Sequence, residues 1–362
     1  MDTNASTIYA TPESLREYCV ALLEKVGVPR DEGYHMAYGL VLANLRGVDS
    51  HGVSRMPIYM KSFSLNLIRK VAEWSIEKET ASSMLIDAKN SIGAVTGVRV
   101  MERLMDKAKD TGVVMASVRN STHFGMSAHF AMMPLEKGMI GFAVSNSPMS
   151  MAPWGGVEPF TGTNPLACAV PAGEMLPIVL DMATAVAAKG KIILALNAGR
   201  SIPEGWALDK NGVMTTSAEE AMQGTVMPIG GAKGFGLSLL IDIISSCLSE
   251  GAYGPHVNNL YKTFDKPQDI CHAFGVINVS QFLPVDSFKK RIDQVIGDIK
   301  SAPKAPGVEE IYLPGELEFK SQEKRGREGV PVPANIYREL EDLGKEYGVP
   351  FSVEGSDKPF AS

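Results

Sequence analysis

Val113-Val114-Met115-Ala116-Ser117-Val118 is an almost unbroken apolar run, separated by Gly112 from a helical stretch reaching from Ile92 to Lys109. So continuous an apolar run reads as a strand buried on both faces. The same alternation continues on either side. Ser83 to Asp87 reads as a strand before the helix, and Ser127 to Glu136 reads as a helix leading through Gly138 to the strand Ile140–Val144. Leu166–Val170, Ile178–Leu180 and Phe274–Val279 add further strands, while Gly190 to Gly199, Ala218–Met222 and Leu237–Leu248 add helices. Strands alternating with helices imply an α/β domain built on a layered sheet. Both ends of the chain have a different texture. Thr11-Pro12-Glu13-Ser14 opens a helix that reaches Gly27, a second spans Pro29 to Leu45, and Val285–Ile299 and Ile336–Tyr347 close the chain. The expected architecture is an α/β domain over residues 76–284, wrapped by a helical domain made of 1–75 and 285–362.

The 362 residues are 45% hydrophobic and 21% charged, an ordinary globular balance. A net charge of −6 argues against nucleic acid or an anionic membrane as partner, since both require a basic face. Cys19, Cys168, Cys247 and Cys271 lack a CxxC spacing and read as reduced core thiols. The polar, acidic start and the lack of an 18-residue uncharged apolar run point to the cytoplasm. The six histidines form no HxxxH or HExxH cluster, so no metal is expected.

Chemistry concentrates in Arg46-Gly47-Val48-Asp49-Ser50-His51-Gly52-Val53-Ser54-Arg55, followed by Met56, Ile58 and Tyr59. Asp49 and Ser50 are good N-caps, so a helix opening near Ser50 is expected, with His51, Arg55 and Tyr59 at i, i+4 and i+8 on one face. An imidazole passes protons near neutral pH, and a guanidinium one turn away holds a carboxylate through two hydrogen bonds. The same residues also suit a helix cap and solvated surface charges. Pro148 to Pro171 is a Gly/Pro-rich loop with free amides, suited to an anion or serving as a plain connection. Within it, Met149 and Met151 are available either to line a pocket or to fill gaps. Asp181 ends a strand, where it is placed to meet a ligand or to cap a following helix. Gly230 to Gly236 opens a long apolar helix with Lys233 at its start, an anion-binding arrangement without the P-loop order.

Together these segments resemble the malate/L-lactate dehydrogenase family, which is distinct from the Rossmann lactate and malate dehydrogenases and includes sulfolactate, ureidoglycolate and diketogulonate enzymes. The resemblance rests on Arg46-Gly47 through Arg55, Thr122-His123-Phe124-Gly125, Gly162-Thr163-Asn164-Pro165, Leu180 to Thr184, Gly190-Lys191-Ile192, Lys233 to Leu237 and Pro314-Gly315-Glu316, in the family's order over nearly the whole chain. It implies a central mixed sheet without the dinucleotide fingerprint, a homodimer, NAD or NADP as cofactor, and hydride transfer at C2 of a 2-oxo or 2-hydroxy acid. Reduction of a cyclic imine carboxylate, or non-catalytic ligand binding on the same fold, is the alternative. His51 resembles the acid/base, with Ser50 and Asp181 as its partners and His123 as the other candidate for that role. Arg55 and Tyr59 fall at the substrate. His123, Thr163, Asn164, Asp181, Met182, Ala183, Lys233, Pro314, Gly315 and Glu316 resemble the cofactor-binding positions. Two departures stand out: Ser127-Ala128-His129 replaces a glycine and tyrosine of many members, and Leu65 to Arg69 lacks an expected glycine.

Overall fold

A computed structural model describes residues 7–351. Among these, the chain runs through β1 (Ile8–Ala10), α1 (Pro12–Lys25), α2 (Arg30–Leu45), two short 3-10 turns, and α3 (Met56–Ser64). It continues as β2 (Ser75–Glu79), β3 (Ser83–Asp87), α4 (Gly93–Thr111), β4 (Val113–Ser121), α5 (Ser127–Met132), β5 (Met139–Ser145), β6 (Leu166–Val170) and β7 (Ile178–Met182). Then follow α6 (Lys189–Asn197), β8 (Ala207–Leu208), β9 (Met214–Thr215), α7 (Ala218–Gln223), β10 (Thr225–Val226), α8 (Ala232–Ser245) and β11 (Ile270–Asn278). The last elements are α9 (Val285–Lys300), α10 (Glu316–Glu328), β12 (Val330–Val332) and α11 (Ala334–Tyr347).

The central sheet is mixed, with strand order β2-β3-β4-β11-β5-β6-β7. Only β3 and β4 pair in parallel, which requires a crossover, and α4 supplies it. The helix lays Val98, Met101, Leu104, Met105 and Ala108 on Val114, Ala116 and Val118 of β4. Fully burying each of the larger side chains stabilises the fold by roughly 1.5–3 kcal/mol. The opposite face of β4 is not sealed as its composition implied: Val113 and Met115 are 43% and 42% exposed. α8 covers that face only farther along, where the Ser117 hydroxyl meets the Ile244 and Ser245 carbonyls.

A second core joins the two ends of the chain. Leu15, Leu22, Leu23, Met56, Met60, Phe63 and Leu340 pack together, and β1 pairs antiparallel with β12. Within Leu65–Arg69, where a glycine was expected, Asn66 takes a positive φ of 56°. A three-stranded sheet, β10-β8-β9, packs with α6 and α7 around Ile192, Ile202, Ala207 and Val226. Met151 is fully buried in this cluster and fills space, whereas Met149 is 48% exposed.

Candidate active site

The segment from Asp49 to Tyr59 is not one helix. It forms two single turns, Asp49–His51 and Val53–Arg55, separated by Gly52 in an extended conformation, and α3 begins only at Met56. Asn44 of α2 explains the break. Its side-chain oxygen accepts from the Val53 amide at 2.8 Å, and its nitrogen donates to Asp49 Oδ1 at 2.7 Å. A Cβ on residue 52 would lie 2.2 Å from Asn44 Oδ1, so glycine is the residue that fits. From α10, Arg325 grips both Asp49 oxygens, at 2.7 and 3.1 Å, and also donates to the Asn44 carbonyl. A buried amide and a bidentate ion pair thus fix the backbone that carries Ser50 and His51.

These turns bring His51, Arg55 and Tyr59, which the sequence placed on one helical face, together with His123. His51 and His123 stack with ring centroids 5.7 Å apart and planes at 22°. Ser50 Oγ lies 3.0 Å from His51 Nδ1. The Tyr59 hydroxyl lies 2.6 Å from His123 Nδ1, which also accepts from the Gly125 amide at 3.3 Å. Arg55 donates through Nε to the Ser50 carbonyl at 2.6 Å and through Nη1 to the Tyr261 hydroxyl. Its cation also lies 5.4 Å from the centre of the Tyr261 ring.

Both histidines are densely surrounded by protein yet partly open to solvent. Burial, reinforced by the Arg55 charge, pushes the His51 pKa down to about 4. His123 is held well below its usual range by burial, then by Arg55 and His51. Both rings are therefore neutral at pH 7 in the free protein. Burial raises the Tyr59 phenol, so it stays protonated. Behind His123, the Gln268 side chain accepts from its amide at 3.0 Å. His272 stacks on Phe124 at 4.3 Å and contacts the Ser121 and Ser145 hydroxyls, each at 2.9 Å.

Asp181 does not hydrogen-bond His51, the partnership expected from the resemblance. It accepts from the Ala128 amide at 2.9 Å, and no helix follows it directly; it meets the N-terminal end of α5 instead. Burial raises its pKa to about 6, opposed by that amide and by Arg46. The Asp181 residue is solvent-accessible.

Around it are the residues that would hold a dinucleotide. The Pro314 carbonyl accepts from the Val179 amide on β7, and Gly315, at φ 93°, lets the turn approach that strand where a Cβ would collide. Glu316 is engaged with Lys300 at 2.8 Å. Met182 and Ala183 continue from Asp181, and Thr163 accepts from Thr184. Asn164 is fully buried, bonded to the Ser147 amide and the Ser238 carbonyl, so it shapes the loop rather than facing a ligand. Lys233 is exposed in the first turn of α8 and has no ion-pair partner among the described residues, next to the amides of a helix start. An exposed cation beside helix N-terminal amides is chemistry suited to an anionic group. Sequence reasoning missed Asn44, Arg325, Tyr261 and Gln268, each of which reaches the site from a distant element.

Comparison with known proteins gives the class, an NAD(P)-dependent oxidoreductase acting on hydroxy acids. Residues 10–341 match the model of the malate/L-lactate dehydrogenase family, and the chain belongs to that family. It is 40% identical to malate dehydrogenase from Pyrococcus horikoshii over 348 residues, covering 93% of this chain and 95% of that one. It is 36% identical to L-sulfolactate dehydrogenase from Methanocaldococcus jannaschii over 341 residues, covering 93% of this chain and 97% of its relative. The solved sulfolactate dehydrogenase structure from M. jannaschii superposes with a TM-score of 0.90 at 34% identity, covering 95% of this chain and 98% of that one.

Proposed function

We propose that the protein transfers hydride between NAD(P)H and C2 of a 2-oxo or 2-hydroxy acid of the malate, lactate or sulfolactate type, in the cytoplasm and as a homodimer. The observation that carries this reading is the stacked His51–His123 pair set against Arg55. When bound, the nicotinamide supplies or receives the hydride. Lys233, Asp181 to Ala183 and the turn from Pro314 to Glu316 hold the dinucleotide.

Arg55 binds the substrate carboxylate through its Nη groups, because Nε is committed to the Ser50 carbonyl. His51 exchanges the proton at the C2 oxygen. Its Nδ1 faces only the Ser50 hydroxyl, which both donates and accepts, so the neutral and cationic rings are both accommodated. His123 Nδ1 faces an amide N–H, which disfavours a proton there and leaves Nε2–H to polarise the substrate oxygen. Carboxylate binding also offsets the Arg55 charge that depresses both rings, raising the His51 pKa when its proton is needed.

The dimer reading draws on apolar side chains left exposed on β4 and α8, namely Val113, Met115, Leu240 and Ile243.

The test is oxidation of NADH and NADPH with oxaloacetate, sulfopyruvate and pyruvate, comparing wild type with His51→Ala. Turnover falling about 10²–10⁴-fold supports the assignment. Turnover that survives in His51→Ala but is lost in His123→Ala gives the proton to His123, and silence of the wild type on every acid refutes the reading.

A further inference from the structure

The loop from Asn258 to Gln268 contains no helix or strand, yet it is closely held. The Asn258 amide donates to the Gln268 carbonyl at 3.0 Å, and the Asn258 side chain donates to the Pro267 carbonyl at 2.6 Å, closing its base. Leu260 is buried in the helical core, and the Tyr261 amide donates to Asn259 Oδ1 at 2.8 Å. Lys61 of α3 sits 3.7 Å from the centre of the Phe264 ring. Gln268, at the closed end, holds the His123 amide. The loop is thus tied to both the helical core and the catalytic strand end.

What this arrangement presents to Arg55 is Tyr261. The residue is 52% exposed, so packing does not account for its place. The hydroxyl oxygen accepts from Arg55 Nη1, while its own O–H has no acceptor among the described residues. A phenol whose oxygen is polarised by a cation becomes a better donor, and this donor is left free beside the guanidinium.

We propose that Tyr261 is a substrate-binding residue, donating its hydroxyl proton to the carboxylate that Arg55 holds. This rests on the oxo-acid reading given above. The carboxylate then receives donors from two directions, one from α3's approach and one from the loop. That geometry favours a planar anion over a neutral carbonyl group.

The experiment measures KM and kcat of the intact protein with oxaloacetate and saturating NADH for wild type, Tyr261→Phe, Arg55→Ala and the double variant, alongside the melting temperature of each. Tyr261→Phe removes one oxygen from an exposed ring. The expected result is a KM about tenfold or more higher, with the loss falling on KM rather than kcat, as for a group bound alike in ground and transition states. In the Arg55→Ala background the second substitution still raises KM several-fold. A Tyr261→Phe KM within twofold of wild type overturns the assignment. An effect that vanishes when Arg55 is absent also overturns it, because Tyr261 then acts only by positioning Arg55. A wild type that turns over no oxo acid fails the functional reading itself, a result distinguishable from both.

Discussion

Replacing Gly52 with alanine tests why the catalytic turn has its shape. The backbone there, at φ −89° and ψ −156°, is open to alanine, so the cost is steric alone. The new methyl would lie 2.2–2.5 Å from three atoms of Asn44, a side chain only 5% exposed. Asn44 must leave, which strands the buried Val53 amide at a cost of about 1–3 kcal/mol and removes a hydrogen bond to the charged Asp49 worth about 1.5–3 kcal/mol. Gly52→Ala should therefore destabilise by roughly 3–5 kcal/mol, lowering Tm by about 4–7 °C in a chain of this length. Asn44→Ala forfeits the same two bonds and should cost a similar amount. The double variant should cost hardly more than Asn44→Ala, because the methyl then occupies vacated space. Urea unfolding of the four proteins gives the coupling energy, expected near 3 kcal/mol or more in magnitude. Additivity within about 0.5 kcal/mol would show that Asn44 is not what residue 52 meets. Activity follows the same cycle, since Ser50 and His51 ride on this turn.

The remaining expectations concern acid, association and the ion pair. Burial pushes His129 to about 4 and His272 to about 3, both below an unfolded value of about 6.5. Between these values the unfolded chain binds more protons, so stability is complete above about pH 6.5 and is lost as pH falls through that window. From pH 7.5 to 5.5 each group removes about 1.4 kcal/mol, opposed in direction by Asp181, and an unchanged urea midpoint would contradict this. Leu240→Asp should convert dimer to monomer by light scattering, and a dimer indifferent to it places the interface elsewhere. Arg325→Met leaves Asp49 without its bidentate partner and should lower kcat/KM about tenfold or more by freeing the Ser50–His51 backbone; a wild-type value would show that Asn44 suffices.

Elements with strong local signals were legible in the sequence. Leu166–Val170 coincides with β6, and the expected helices match α1, α2 and α9 within one or two residues at their ends. α10 escaped because Glu316–Glu328 is highly charged and, among its residues, only Glu316 is classed as buried, leaving no apolar stripe to read. β8, β9 and β10 are two-residue strands, too short for alternation to register. At the site, the grouping of His51, Arg55 and Tyr59 was legible but its geometry was not. Helical spacing assumes a continuous backbone, and the Asn44 contact that interrupts it comes from another element. Asp181 was expected beside His51, but the amide that bonds it, from Ala128, belongs to a different strand–helix junction.

The hold of Arg325 on Asp49 spans 276 positions of chain. During synthesis at about 5–20 residues per second, the turn bearing His51 leaves the ribosome roughly 15–55 s before the arginine that fastens it. Nascent chains can assemble the sheet in that interval without possessing a finished catalytic turn. Competence therefore arrives late in translation, and products that stop short of α10 lack the arginine that fastens the turn.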